Sequence, residues 1–247
     1  MNTLDNLFSE YGERAYIHAK RTYIPQFMSE QNRQVADAAE EVLPKGGTVI
    51  YPGCGTGIVL QLLIEHDPSL LAIGFDIAEG MIRKAIETTD QKIKYFTGDA
   101  HSPPERYNSV ADAVLLKNSL YFLDPEVAIP MIGKLLKPQG HLILTTFKSL
   151  DPGTLKDRLW QRAIYDTKTR PAEEFMRGDI SEEQLREVTG SVDAEIFYQT
   201  QLLPFIRPPL PLGGLAEILH ANSFAGMEIL DMGHYADTMY LVRAQKK

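Results

Sequence analysis

The stretch Val49–Gly57, which reads VIYPGCGTG, has the pattern of a β-strand that runs into a glycine-rich turn. Glycines at positions 53, 55 and 57 allow positive φ angles and let a ligand approach the backbone. The helical pattern that follows at once places free N–H groups where a negative ligand group can bind. A tight strand-to-helix turn also needs glycine for its geometry alone, so the ligand class has to be argued from spacing and from other residues.

The spacing of Gly53, Gly55 and Gly57 separates two ligand classes. The dinucleotide fingerprint Gly-x-Gly-x-x-Gly needs its third glycine at position 58, which is Ile58 here. Gly-x-Gly-x-Gly is instead the pattern of turns that bind S-adenosylmethionine (SAM). The spacing therefore argues against a nicotinamide-dependent oxidoreductase.

Short β-rich runs alternate with helical stretches from residue 48 onward. The runs cover residues 48–53, 70–76, 93–100, 111–118 and 141–147. Strands that alternate with helices predict a parallel sheet with helices on both faces. A helix at 214–223 and two further β-rich runs close the chain.

Three regions follow from this pattern. Residues 1–44 carry no strand signal and predict an N-terminal helical lid. Residues 45–147 and 213–247 predict the α/β core. Residues 148–212, with helical patterns at 154–165 and 181–189, are too long for a tight connection and predict a helical substrate-cap insertion after strand 5.

The composition excludes several kinds of protein. A net charge of −8 argues against nucleic acid as the main partner, because phosphate binding needs clustered Lys and Arg. The single Cys54 excludes an internal disulfide and a multi-cysteine zinc site, and we expect no metal. Neither a membrane span nor a signal peptide is evident, so a cytosolic protein without a membrane partner is expected. The oligomeric state is left open.

Two aspartates follow the second and third predicted strands. Asp76 lies where an acidic side chain can accept hydrogen bonds from both ribose hydroxyls, although it can also simply cap the next helix. Asp99 reaches the same crevice and can accept from an adenine amino group, although Gly98-Asp99-Ala100 is also an ordinary turn.

Five segments together resemble the class I SAM-dependent methyltransferases, especially their small-molecule branch. In chain order they are VIYPGCGTG, AIGFDIAEGMIRKA, IKYFTGDAH, ADAVLLKNSLYFLDP and LLKPQGHLILTTF. The resemblance implies a Rossmann-like, seven-stranded, mostly parallel sheet whose last strand is antiparallel. It also implies SAM as the cofactor. The residues it places around SAM and at the edge of the active site are Gly53, Gly55, Gly57, Asp76, Ile77, Asp99, Ala100, Lys117 and Asn118.

Tyr51 departs from the pattern of that family. Its members usually carry an acidic residue two positions before the first glycine, where it supports the methionine amino group. A neutral phenol does not supply that charge, and Pro52 removes a backbone donor. Either Tyr51 belongs to a cofactor site with altered or lost SAM binding, or it packs into the sheet while other contacts hold SAM.

Relatives of this type also close an N-terminal tyrosine or arginine over SAM. Tyr16 is therefore a candidate cofactor contact in the lid. The alternative for this segment is an amphipathic helix that docks on the sheet.

Catalytic candidates must lie beyond the carboxyl ends of the strands, and a general base is needed only if the acceptor arrives protonated. His101 follows the third strand, His234 follows the sixth, and His18 lies in the lead-in segment. Each is alternatively a surface or capping histidine. Tyr121, just past the fourth strand, is a candidate for positioning the acceptor or a core residue.

The fourth strand ends in Lys-Asn-Ser-Leu and not in the Asn/Asp-Pro-Pro-Tyr of enzymes that methylate amide or base nitrogens. Aromatic residues in 148–212 suit a small organic acceptor, or else form the core of the insertion. We therefore expect a SAM-dependent methyltransferase that acts on N, O or C of a small metabolite. The alternative is a methyltransferase-fold protein with altered or lost methyl transfer, which serves as a ligand-binding module or catalyses a different reaction.

Overall fold

The computed structural model describes residues 6–8, 10, 26–148, 153–154, 157–158, 161, 165, 169–189, 201–202, 205, 207–233 and 238–247. Its strands are β1 (Thr48–Pro52), β2 (Leu71–Asp76), β3 (Lys94–Thr97), β4 (Ala111–Leu116), β5 (Leu136–Phe147), β6 (Phe224–Leu230) and β7 (Met239–Lys246). Its α-helices are α1 (Gln26–Glu40), α2 (Ile58–His66), α3 (Glu79–Thr88), α4 (Pro125–Leu135), α5 (Arg170–Arg177), α6 (Glu182–Thr189) and α7 (Leu212–Ala221). Two 3₁₀ turns cover Glu105–Tyr107 and Leu120–Phe122.

The strands of the described ranges form one seven-stranded sheet in the order β3-β2-β1-β4-β5-β7-β6. β1 to β5 pair in parallel, and β7 runs antiparallel to both of its neighbours, β5 and β6. The prediction of a seven-stranded, mostly parallel sheet with an antiparallel last strand is confirmed.

Helices cover both faces of this sheet and bury two apolar layers. One layer joins residues of α1 and α2 to alternate residues of the strands, among them Val49 and Tyr51 of β1. The other layer joins α4 and α7 to the opposite set, among them Ile50. Burial on both faces explains why the strands read as nearly continuous apolar runs in the sequence.

The strand order reverses beside β1. From β1 the chain first crosses to β2 and β3 on one side, and β4 then returns to the other side of β1. A reversal of this kind opens a crevice beyond the carboxyl ends of the strands, where open α/β sheets bind their ligands. The Gly53–Gly57 turn and the residues after β2, β3 and β4 all lie at this edge.

The main difference from the sequence pattern is the start of β5. The strand begins at Leu136, directly after α4, whereas the predicted run begins at His141. Its pairing shifts register between Ala111 and Ala113, so an irregular segment containing Pro138 is inserted, in which Gln139 has a φ of 67°. The proline and glycine of this segment interrupt the apolar pattern, which hides its strand character.

The lid and the insertion are described only in part. The helix predicted at 181–189 is present as α6, whereas most of 154–165 lies outside the described residues. The boundaries of the three regions therefore remain predictions. Within the described ranges no helix combines the length and apolarity that a bilayer span requires.

Candidate active site

The glycine turn after β1 has the backbone geometry that only glycine adopts easily. Gly53, Gly55 and Gly57 have φ angles of 67°, 54° and 75°. The N–H groups of Gly53 and Cys54 donate to the Phe75 carbonyl at 2.7 and 3.1 Å, which ties the turn to β2. These two hydrogen bonds therefore fix the turn to the neighbouring strand β2.

The three glycines meet different surroundings. A Cβ at Gly57 would lie 2.7 Å from Cζ of Tyr95, and one at Gly53 would lie 2.9 Å from Cβ of Ser119. A Cβ at Gly55 would meet no atom of the described residues within 4 Å. Gly57 and Gly53 are thus explained by packing, whereas Gly55 borders open space at the carboxyl edge of the sheet.

Asp76 ends β2 directly beside this open space. Its Oδ2 accepts a hydrogen bond from the N–H of Gly55 at 2.9 Å, and its Oδ1 accepts from the N–H of Ala78 at 2.9 Å. Burial raises the pKa of the carboxyl group, and the backbone donors partly oppose that rise. The capping role that the sequence allowed is present, and each carboxylate oxygen keeps a further lone pair for a ligand hydroxyl.

Tyr51 points into the core between the sheet and α1 and α2, with 4% of its surface exposed. Its hydroxyl donates to the backbone carbonyl of Lys117 at 3.3 Å, and burial holds the pKa of the phenol well above its usual value. This arrangement favours the second interpretation of Tyr51, in which it packs into the sheet and bridges β1 to the end of β4.

Lys117 and Ser119 follow β4 at the same edge. Within the described residues no acceptor lies within hydrogen-bonding distance of the Lys117 amine, and burial lowers its pKa to about 8. The hydroxyl of Ser119 is buried beside Gly53 and also lacks a hydrogen-bond partner there. Two polar groups that follow β4 are thus without a hydrogen-bond partner among the described residues.

Asn118 serves the fold instead. Its amide donates to Oε1 of Gln31 on α1 at 2.9 Å. Its backbone N–H donates to Oγ1 of Thr145 on β5 at 2.8 Å, and that hydroxyl donates to Oδ1 of Asn118 at 3.2 Å. The side chain predicted at the cofactor therefore links α1, β4 and β5, with a left-handed φ of 56° that asparagine tolerates.

Asp99 and His101 form a closed cluster with the loop after β4. His101 Nδ1 lies 2.9 Å from Oδ1 of Asp99, and the backbone N–H of Asp124 donates to His101 Nε2 at 3.1 Å. Because Nε2 accepts, the proton is on Nδ1, and both ring nitrogens are occupied. This geometry does not support His101 as a general base, whereas Oδ2 of Asp99 accepts no hydrogen bond from the described residues and the side chain is 42% exposed.

Tyr121 lies in an aromatic wall at the end of β4. Its ring stacks on Phe147 with centroids 4.4 Å apart, and the tyrosine is 8% exposed. Phe8 of the lead-in segment packs edge-on against Phe122 at 4.8 Å, and the N–H of Arg207 donates to the Tyr121 carbonyl. Residues from the predicted lid (Phe8) and the predicted insertion (Arg207) therefore contact the segment that follows β4.

The remaining predicted residues fall into two groups. Ile77 is partly buried after β2, and Ala100 lies in the apolar layer beneath the loop after β3. His18, His234 and Tyr16 lie outside the described residues. Sequence reasoning missed Ser119, whose partnerless hydroxyl is defined only by what surrounds it.

Comparison with known proteins finds one matching family model and several similar proteins. Residues 50–144 match the model of the methyltransferase domain family. The chain is 29% identical over 119 residues to the malonyl-[acyl-carrier protein] O-methyltransferase of Herminiimonas arsenicoxydans, covering 47% of this chain and 44% of that protein. The chain thus spans less than half the length of this curated relative.

Solved structures with the same fold are more distant in sequence. The methyltransferase in the complex with the Haloferax volcanii Trm112 methyltransferase activator superposes with a TM-score of 0.61 at 13% identity, over 99% of this chain and 98% of that one. Human N-acetylserotonin methyltransferase in complex with SAM superposes with a TM-score of 0.53 at 16% identity, over 87% of this chain and 51% of that one. Both confirm the Rossmann-like fold.

Proposed function

We propose, from the premise that this chain contains a class I SAM-dependent methyltransferase domain, that it transfers a methyl group from SAM to N, O or C of a small-molecule metabolite. The observation that carries the proposal is the open space at Gly55, bordered by the carboxylate of Asp76. Asp76 also caps backbone N–H groups, so the support for a ligand is the open space beside a carboxylate whose oxygens keep further lone pairs.

The residues at this edge fit SAM. Asp76 can accept from the two ribose hydroxyls, and Oδ2 of Asp99 from the adenine amino group. The turn leaves room for the methionine portion at Gly55, and the orphaned hydroxyl of Ser119 is available beside Gly53. The positions implied by the resemblance thus keep their roles as proposals, with Tyr51 and Asn118 acting through the fold.

Bound SAM supplies an activated methyl group on a sulfonium. The remaining work is to hold the acceptor in line and to exclude water. The aromatic wall of Tyr121, Phe122 and Phe147 is suited to excluding water on one side of the crevice. Both nitrogens of His101 are occupied, so this cluster offers no general base. An acceptor that arrives already deprotonated needs none.

Two observations bear on the acceptor, one on its atom and one on its class. The curated relative is named an O-methyltransferase, which favours oxygen among the three acceptor atoms. The net charge of −8 opposes a polyanionic acceptor such as nucleic acid.

The test is calorimetric titration with SAM, S-adenosylhomocysteine and NAD. We expect heat with the first two and none with NAD. Asp76→Ala should weaken S-adenosylhomocysteine binding about a hundredfold, because two hydrogen bonds to a charged group are lost. Asp112→Ala, at the opposite edge of the sheet, is the matched control and should leave the affinity unchanged.

A protein with altered or lost methyl transfer is the second candidate, since Tyr51 removes the usual acid at the methionine end. Unchanged affinity in Asp76→Ala would mean that the ribose binds elsewhere. Titrations without heat for both adenosyl ligands would overturn the methyltransferase proposal and leave the ligand-binding alternative.

A further inference from the structure

The position beside the glycine turn that usually carries an acid carries a neutral phenol, and a lysine follows the neighbouring strand β4. An acid is absent at position 51, where Tyr51 is buried, and Lys117 supplies an amine instead. The alternation along β4 places Ala113 and Leu115 in the layer below α1 and α2, so Lys117 continues that face. Tyr51 reaches the backbone of Lys117 from the same face.

The amine of Lys117 is costly where it lies. No hydrogen-bond acceptor or carboxylate of the described residues partners it, and burial lowers its pKa to about 8. Lysines that serve stability are exposed or paired, as Lys137 is with Asp112 at 2.8 Å. An amine that is partly buried, has no acceptor within the described residues and follows β4 at the carboxyl end of the sheet instead suits an anionic group that arrives from outside.

We propose that Lys117 is a carboxylate-binding residue of the active site. This inference rests on the proposed function for the location of the crevice. A carboxylate has two sources there: the methionine portion of the cofactor and the acceptor itself. The chemistry of recognition is the same for both, namely a charge-assisted hydrogen bond from the amine to a carboxylate oxygen in partly buried surroundings.

The buried Ser119 hydroxyl supports this assignment. It lies two residues after Lys117 in the chain, 3.2 Å from the position of a Cβ at Gly53, and has no hydrogen-bond partner within the described residues. A carboxylate held by Lys117 has a second oxygen to satisfy. Ser119 is the neighbouring donor of suitable type.

The experiment compares ligand pairs that differ in the carboxylate. S-adenosylhomocysteine and its decarboxylated analogue test the cofactor source. Octanoate and octanamide, titrated with and without S-adenosylhomocysteine, test the acceptor source. Wild type should prefer the carboxylate in at least one pair, and Lys117→Met should lower that preference about tenfold or more.

Two controls separate charge from packing. Lys117→Arg keeps the positive charge and should retain most of the preference. Lys92→Met removes an exposed lysine at the opposite edge of the sheet and should leave both pairs unchanged.

Proton linkage gives a second readout. A bound carboxylate raises the lowered pKa of Lys117, so binding near pH 8 should take up about half a proton. Titrations in two buffers of different ionisation enthalpy measure this uptake, which Lys117→Met should abolish. Uptake that persists in the variant would assign the proton to another group and count against the proposal.

Thermal unfolding shows whether Lys117→Met is folded and whether the charged amine of Lys117 lowers the stability of the wild type. Because the pKa of Lys117 is lowered from 10.5 to about 8, its charge opposes folding fully below pH 8, and the opposition fades as the pH rises towards 10.5. Lys117→Met should therefore raise Tm at pH 7, and the gain should shrink at pH 10.

The outcomes separate the two proposals. Binding of S-adenosylhomocysteine with no Lys117-dependent carboxylate preference in either pair overturns the role of Lys117 alone. No binding of either adenosyl ligand overturns the proposed function, while octanoate on the free protein still tests Lys117.

Discussion

Gly55 and Gly57 both have positive φ angles, yet their side-chain positions have different surroundings. At Gly57 an added Cβ would lie 2.7 Å from the Tyr95 ring, so the Tyr95 side chain has to move. At Gly55 an added Cβ meets open space, and only the φ of 54° opposes it. The two positions therefore form a matched pair of probes in one turn.

Gly55→Ala should cost about 1–2 kcal/mol of unfolding free energy, the penalty of a left-handed conformation for an L residue. The methyl group should fill the space proposed for the methionine portion, and S-adenosylhomocysteine binding should be lost. Chemical denaturation and calorimetry together measure the two effects.

Gly57→Ala adds a clash to the same backbone penalty. It should destabilise the protein by about 2 kcal/mol more than Gly55→Ala, because a packed interior tolerates an added methyl poorly. Equal losses of stability in the two variants would contradict this description of the turn.

At the scale of elements, a polar link ties α1 to the strands. Gln31, Asn118 and Thr145 are joined by hydrogen bonds of 2.8–3.2 Å, and Gln31 and Thr145 are buried. Buried polar networks are valuable when every member is satisfied and costly when one is removed. The network therefore sets the position of α1 relative to β4 and β5.

Thr145→Val should destabilise the fold by about 1–3 kcal/mol, because it keeps the side-chain shape but leaves the N–H and Oδ1 of Asn118 unpaired. Denaturation with urea measures the change. Thr145→Ser retains the hydroxyl and should recover most of the hydrogen-bonding term; a serine variant as unstable as the valine variant would assign the loss to packing.

The elements were predictable to different degrees. The strands from β1 to β4 follow from apolar runs between turn residues, since both faces of each are buried. The early start of β5 could not be predicted, because its bulged segment contains Pro138 and Gly140, residues that otherwise mark a loop.

At the scale of the whole molecule, the carboxyl ends and the amino ends of the parallel strands differ in their polar groups. The end with the glycine turn holds two groups without a partner among the described residues, namely the amine of Lys117 and the hydroxyl of Ser119. At the opposite edge Asp112 accepts from the N–H of Thr48 at 2.8 Å and pairs with Lys137. Polar groups there are satisfied within the fold.

Asp112→Ala should lower the unfolding free energy by about 1–3 kcal/mol, because the Thr48 N–H loses its partner. Binding of S-adenosylhomocysteine should stay within twofold of wild type once the protein is folded. A large loss of affinity in this variant would show that the two edges are coupled.

The resemblance to methyltransferases, which the family match over residues 50–144 supports, was accessible from the sequence. Three features carried this inference: the glycine spacing, a carboxylate after the second strand and the order of five segments. Each can be identified directly in the linear sequence. The seven-stranded sheet with an antiparallel last strand followed from the resemblance and is confirmed, whereas the strand order came from the structure.

The roles of individual side chains were decided by the tertiary structure. His101 and Asn118 have residue types that suit a site, yet their polar atoms bond to Asp99, Asp124, Gln31 and Thr145. Tyr51 follows the sheet alternation into the core and so cannot act as the missing acid. Lys117 stands out only once its burial and lack of a partner are known.

The sequence by itself thus determined the fold and the kind of ligand, because both depend on patterns along the chain. Only the tertiary structure decided which polar groups remain for that ligand. The physical reason is that a hydrogen-bonding group is available only when no neighbour satisfies it, and those neighbours lie 27 and 87 residues away for Asn118.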